Sequence, residues 1–407
     1  MRKRIALVMS AAFVVLVLNS CGDVSGIFSG LADNPLPPMT LSWSARADDL
    51  NGDGKIEILE SFVTTQSNGP DLGWVNVYLQ SASGGGNFAA PSKYSVLAPD
   101  PMHMVVGDLN NDGRPDVITV NALIGTNTSP SISVLMQDDR NPGSLLGAFK
   151  LDTTTEAEYA AIGDLNHDGR NDIAVAGVSD VILFTQSPTA PGTFTRSSLG
   201  MGFADSVAIA DLDHDGYNDL IFTDAKVVSV RLQNPNAPGT FLAARGYAAD
   251  IRPALVSVAD LNGDGHLDLV VLNMGDPNDG TTARVSILLQ DPIVAGTFLP
   301  PVNYKASRGL NAVGVADLNG DGHPDLAVAN GDGNVSVLLQ DSSGRGTFLA
   351  ATQYAANNHD GVEDISIADV NGDGFSDLVF AAGSNVNVRF QVPGVPGTFG
   401  PITAITK

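Results

Sequence analysis

The sequence predicts an all-β fold, a seven-bladed β-propeller with four antiparallel strands per blade and an acidic loop in each. Three observations predict it. An acidic motif recurs seven times, its first aspartates separated by 59, 56, 47, 49, 57 and 52 residues. A glutamine and a phenylalanine travel with each copy. Between these markers lie short β-branched runs with period-2 alternation, bounded by Gly, Pro, Asn and Asp, and no stretch past the N-terminal segment sustains a 3.6-residue period. One unit of about fifty residues cannot bury its faces alone. Seven of them can close into a ring, which protects the sheet edges.

The first elements lie outside the ring. Arg2, Lys3 and Arg4 precede a mostly apolar run from Ile5 to Leu18, 14 residues long and short for a membrane span. "LNSC" follows, ending at Cys21, the one cysteine of the chain. This pattern resembles a bacterial lipoprotein signal over residues 1–20, with Cys21 as the lipidated first residue of the exported protein. Residues 21–40 are rich in Gly, Ser and Pro and read as a flexible tether. The propeller is assigned to residues 41–407.

Within the fifth unit, "VSVAD" reads as the first strand, "LDLVVLN" as the second, "VSILLQ" as the third and "GTFLPPVNY" as the fourth. The small residues of the first strand permit crowding. The glutamines are Gln80, Gln137, Gln186, Gln233, Gln290, Gln340 and Gln391; the phenylalanines are Phe88, Phe149, Phe194, Phe241, Phe298, Phe348 and Phe399. Their separation is eight residues in six units and twelve in the second, which predicts a tight hairpin with one insertion in blade 2. Blade 1 starts with its own first strand and blade 7 ends with its own fourth, so the ring is expected to close by packing whole blades.

The motif is D-x-[ND]-x-D-G-x-x-[DE]. Its candidate metal ligands at positions 1, 3, 5, 7 and 9 are Asp49, Asn51, Asp53, Lys55 and Glu57 in the first loop, and Asp108, Asn110, Asp112, Arg114 and Asp116 in the second. The third has Asp164, Asn166, Asp168, Arg170 and Asp172; the fourth has Asp211, Asp213, Asp215, Tyr217 and Asp219. The fifth has Asp260, Asn262, Asp264, His266 and Asp268; the sixth has Asp317, Asn319, Asp321, His323 and Asp325. The seventh has Asp369, Asn371, Asp373, Phe375 and Asp377. Positions 1, 3 and 5 offer side-chain oxygens, Gly at position 6 allows the sharp turn, and position 7 offers a backbone carbonyl, so its side chain is free to vary. Position 9 closes the cage and starts the next strand. Position 4 is Gly, Asn or His, types that tolerate left-handed backbone.

Carboxylates about 4 Å apart repel by about 4 kcal/mol per pair at an effective dielectric of about 20. A cation in each loop removes that cost. An all-oxygen cage with a backbone carbonyl favours Ca²⁺ over Mg²⁺, and the lack of Cys or His side-chain ligands argues against zinc. The motif holds 22 of the 45 acids, so seven calcium ions would take the net charge from −24 to −10. The expected role of the ions is to staple the hairpins. His167, His214, His266 and His323 read as fillers or carbonyl donors. "NGDGN" at 330–334 lacks the first acid and reads as a hairpin turn.

The "DLNGDGxxDL" loops and "GTF" segments resemble the FG-GAP/VCBS repeats of integrin α-subunit-like propellers over residues 41–407. The resemblance implies calcium in the loop between the first two strands of each blade. Glu57 in blade 1 and Asp213 in blade 4 depart from the other loops, so their affinities are expected to differ.

The acidic balance excludes nucleic acid and electrostatic attachment to anionic lipid as expected partners. No G-x-S-x-G or H-E-x-x-H occurs, there are only two tryptophans, Trp43 and Trp74, and His103 and His359 stand isolated with core or surface roles expected. The expected function is a monomeric, calcium-binding, lipid-anchored envelope module that binds a protein or glycan and is not an enzyme. A propeller-scaffold enzyme acting on polysaccharide, or a passive scaffold, is the alternative. From the position-9 acid to the glutamine is 14 or 15 residues in four blades but 23, 21 and 22 in blades 1, 2 and 5. The three longer loops, around Trp74, Asn127 and Asp276 to Arg284, face away from the acidic loops and are the expected recognition surface.

Overall fold

The computed structural model describes residues 40–65, 71–81, 84–121, 130–224, 226–275, 283–341, 345–356 and 361–405. The N-terminal signal, Cys21, His359 and most of the three long loops lie outside the described residues. Twenty-eight strands form seven sheets, each of four strands in chain order and each wholly antiparallel. The described residues contain no helix.

The inner strands are Thr40–Asp48, Pro101–Gly107, Ala157–Gly163, Ser206–Ala210, Pro253–Ala259, Leu310–Ala316 and Val362–Ala368 for blades 1 to 7. Their small residues are there because neighbours touch: a Cβ on Gly163 would lie 2.7 Å from Ile209 of the next blade, and one on Gly314 would lie 2.7 Å from Ile367. Each second strand is buried along nearly its whole length, as Asp268–Asn273 shows. The fourth strands are largely exposed, as at Val302–Lys305. They start later than the sequence implies in most blades, because the phenylalanine makes an isolated bridge before the strand proper.

The core is seven apolar clusters, one at each blade interface. Leu50, Val75, Met104 and Leu135 join blades 1 and 2, while Ala45, Ile58, Tyr78, Val370 and Val386 join blade 7 back to blade 1. That last cluster closes the ring by packing, with no strand exchanged between the ends. Two backbone bonds among the described residues also cross the seam, from Ser42 N–H to the Gly383 carbonyl at 2.8 Å and from Gly85 N–H to the Asn371 carbonyl at 3.2 Å. The second residue of every acidic loop is Leu or Val, and all seven are buried, from Leu50 to Val370. Each loop is thereby nailed into an interface.

One expectation is corrected. Blade 2 has no insertion between its third and fourth strands. Gln137 bridges Leu145, eight residues on, as the other glutamines bridge phenylalanine. Leu145 does the packing there and is 6% exposed. Phe149 instead opens the fourth strand, Phe149–Asp152. Residues 330–334 do form the expected hairpin turn, closed by Gly333 N–H on the Asn330 carbonyl at 3.1 Å.

Candidate metal centres

Each acidic loop spans the gap between an inner strand and the second strand, and the seven loops share one face of the ring. Two backbone residues per loop are left-handed. Position 6 is always Gly, with φ between 78° and 89°. Position 4 has φ of 62° at Asn111, 58° at His167 and 58° at His214, and is Gly elsewhere. The residue types at position 4 are therefore set by backbone conformation.

The turn brings the side-chain oxygens of positions 1, 3 and 5 onto its own backbone N–H groups. The position-1 carboxylate accepts the Gly N–H of position 6 at 2.7–3.0 Å in all seven loops. The position-3 oxygen accepts the N–H of position 5 at 2.8–3.3 Å. The position-5 carboxylate accepts the N–H of position 7 at 2.8–3.0 Å. In five loops the position-3 Asn also donates its amide N–H to the position-5 carboxylate.

Position 9 does more than the sequence foretells. It is buried in all seven blades. One of its oxygens accepts the N–H of loop position 2 at 2.8–3.1 Å. In blades 2 to 7 the other accepts the backbone N–H of the repeat glutamine at 2.6–2.9 Å. The glutamine side chain completes the knot. In blades 2 to 7 its amide donates to the carbonyl of loop position 8, as from Gln290 to Leu267 at 2.8 Å, and in blade 1 Gln80 donates to the Val370 carbonyl of blade 7. In blade 3 Gln186 Oε1 is without a partner among the described residues, while in blades 2, 4, 5, 6 and 7 the glutamine oxygen accepts the N–H of the hairpin glycine, as from Gly296 at 3.0 Å. That glycine lies on the preceding blade: a Cβ there would meet Leu232 at 3.0 Å and Asp213, position 3 of the loop before, at 3.4 Å. Acid, glutamine and glycine thus form one hydrogen-bonded unit in most blades, whatever the length of chain between acid and glutamine, and the glycine, always six residues after the glutamine, seats on the loop of the neighbouring blade.

Neighbouring loops also touch directly. The Asn111 amide donates to the Gly169 carbonyl at 2.8 Å, and Asn171 and Asn218 donate to the carbonyls of Asp108 and Asp164 at 2.9 and 3.0 Å. The His167 and Tyr217 rings lie 4.2 Å apart, and those of His214 and His266 5.3 Å apart. The position-4 and position-7 side chains thus fill the seams between loops, as expected of fillers.

The donor set fits calcium. Two oxygens held 2.3–2.6 Å from one ion are at most about 5 Å apart. In blade 4, Asp211, Asp213 and Asp215 each bring a carboxylate oxygen within 4.8 Å of the others. Asp211 Oδ1 is a buried acceptor without a hydrogen-bond partner, an arrangement that costs free energy unless a donor or a cation meets it. An ionised Asp213 cannot donate to Asp215 as the Asn does in five other loops, so this loop has the strongest need of a counter-charge. A carboxylate has about four lone-pair directions, so the position-9 oxygens retain capacity for an ion while holding their N–H groups.

Burial pushes the position-9 acids up, to about 7 for Glu57, Asp219 and Asp377 and to about 6 for Asp116, Asp172, Asp268 and Asp325. The loop carboxylates add to the rise and the two N–H bonds oppose it. A carboxyl raised above its unfolded value binds protons in the folded state that the unfolded chain has released. The contribution of these carboxyls to metal-free stability is therefore fully present below the ordinary aspartate value of 3.8 and is lost as pH rises through 6 to 7. Calcium and protons compete for these oxygens, so the calcium-dependent gain in melting temperature is expected to grow over that same rise. Thermal melts across the window, in EGTA and in calcium, check it; a calcium gain that shrinks with rising pH contradicts it.

Comparison with known proteins agrees with this architecture. The FG-GAP-like repeat family matches residues 49–119, 164–222, 211–271 and 317–380. The fold and its repeated acidic loop define a β-propeller of the FG-GAP type, and the chain belongs to the FG-GAP-like repeat family. No curated protein matches it. Among solved structures it is similar to Sqt1 from Chaetomium thermophilum, at 15% identity over 89% of this chain and 87% of that one, with a TM-score of 0.52. It is also similar to the periplasmic gluconolactonase PpgL of Pseudomonas aeruginosa, at 18% identity over 77% and 86%, with a TM-score of 0.52. A rhamnogalacturonan lyase of Bacillus licheniformis aligns at 12% identity over 85% and 70%, with a TM-score of 0.50. Identities this low show a shared fold alone.

Proposed function

We propose that the chain is a calcium-stapled binding module, held in the bacterial cell envelope by a lipid on Cys21, that recognises a protein or glycan. The observation that carries the reading is the sevenfold repetition of one oxygen-lined loop, each seated on the next blade. Ions there would stiffen one face and leave the opposite loops free to vary in length. Those loops spring from rigid anchors: Thr64 and Leu72 in blade 1, Asn121 and Ser131 in blade 2, Asn273 and Arg284 in blade 5. Blades 1 and 2 are neighbours, so the strand ends that carry their long loops adjoin.

The test is retention of envelope components by the calcium-loaded chain, repeated with each long loop cut to the length in blade 6. Shortening is expected to weaken retention at an unchanged melting temperature. If all three shortened forms retain the same components as the parent, recognition lies elsewhere. The anchor has its own check. Mass spectrometry of the mature N-terminus is expected to show an acylated Cys21, since several acyl chains anchor stably where one does not. An unmodified Cys21, or cleavage at another residue, contradicts the anchor without touching the propeller.

A further inference from the structure

The axis of the ring holds a cavity of about 440 Å³. Its wall is made by inner strands of six blades, largely by small or aliphatic residues such as Ala161 and Ala208. Its floor is not apolar. Tyr159 of blade 3 reaches across the axis and packs on the cluster of Leu255 and Leu310 in blades 5 and 6. His103 of blade 2 lies on it, ring centroids 3.6 Å apart. Arg46 of blade 1 points one guanidinium nitrogen at His103 Nε2, at 3.0 Å, and another at the Asp364 carboxylate. A guanidinium only donates, so His103 Nε2 is the acceptor of this contact. Arg46 and Asp364 cancel each other's charge. Along the inner strands, beyond this floor, Asp48 and Ser257 line the wall on the way to the acidic loops.

The volume falls within the range of small-molecule sites, roughly 300–1,000 Å³, which pair apolar walls with a few placed polar groups. The chemistry narrows the ligand. The acidic loops sit at the strand ends around this side of the ring and repel anions on approach. At the floor the positive charge is already neutralised. One guanidinium nitrogen donates to the Ala45 carbonyl and to Asp364, and another to His103. Arg46, with the Asp48 carboxylate and Ser257 in the wall and an aromatic pair below, places polar and aromatic groups within one small volume.

We infer that the axial well is a binding site for a small uncharged polyhydroxylated ligand, of the size of one sugar ring. This site is distinct from the acidic loops and from the long loops of the opposite face, and it does not depend on what they bind.

Calorimetric titration of the purified full chain tests it, in calcium and again in EGTA. The probes are four neutral monosaccharides (glucose, galactose, mannose and rhamnose), with glucuronate and glucosamine as charged counterparts of glucose. At least one neutral sugar is expected to bind with a millimolar or tighter dissociation constant. Filling the well with Ala208→Leu is expected to weaken that binding tenfold or more. Ser257→Ala, which removes one hydroxyl and leaves the packing intact, should weaken it severalfold at an unchanged melting temperature. Absence of binding by all four neutral sugars at tens of millimolar overturns the inference. So does equal affinity in both variants, or tighter binding of glucuronate or glucosamine than of glucose.

Discussion

Chelating calcium is expected to lower the melting temperature of the chain by about 10 °C or more. A ligand that binds only the folded state at ten times its dissociation constant stabilises by about 1.4 kcal/mol per site. Extracellular calcium modules bind at roughly 10⁻⁴ to 10⁻³ M, so low-millimolar calcium meets that condition at the tighter end. Seven independent loops then contribute about 10 kcal/mol, of the order of a whole domain's stability. Unfolding entropy of about 2.1 cal/mol/K per residue over roughly 370 residues converts this to a shift of about 10 °C or slightly more. Magnesium should restore less than calcium, because it dehydrates reluctantly and demands stricter geometry. Scanning calorimetry in EGTA, calcium and magnesium decides the matter. An unchanged melting temperature in a verified metal-free sample would falsify the assignment of these loops as calcium sites of consequence.

Asp268→Ala is expected to destabilise the chain by about 2–5 kcal/mol even without calcium, because two buried N–H groups lose their acceptor at about 1–3 kcal/mol each. These are the N–H of Leu261, bonded at 2.9 Å, and that of Gln290, bonded at 2.7 Å. Asp268 itself is 0% exposed, so water does not replace the carboxylate readily. Asp260→Ala removes the position-1 acid of the same loop, which is only half-buried and bonds the exposed turn at Gly263 and Gly265. Its cost should appear mainly in calcium and shrink in EGTA. Denaturant unfolding of both variants under both conditions separates the roles. Equal costs in EGTA would mean that position 9 is merely another ligand and that its buried bonds contribute nothing separate.

The loops were legible because a turn is a local object. Alternating oxygens at positions 1, 3 and 5, glycine at 6 and Gly, Asn or His at 4 encode two left-handed residues and an inward row of acceptors, and the structure builds that turn seven times. The glutamine was visible as a marker but not as a mechanism. Its partners are the acid 14 to 23 residues before it and the glycine six residues after it, and only the pairing of strands brings them together. Blade 2 misled for a related reason. Phe149 matched by residue type, whereas the register selects by distance along the hairpin and places Leu145 opposite Gln137.

By itself, then, the sequence determined the number of blades, the order of strands within each, the shape of the acidic turns and the small residues that let inner strands crowd. Each of these follows from contacts within one unit of about fifty residues, or from repetition of that unit. The tertiary structure alone decided what crosses between units: the seam of blade 7 on blade 1, the seating of every loop on the next hairpin, and the meeting of Arg46, His103, Tyr159 and Asp364 on the axis. Those four residues come from blades 1, 2, 3 and 7, and nothing in their own stretches marks them as a group. A ring brings one residue from each unit to a common centre, so a cluster there is a property of closure, which no local pattern of residues records.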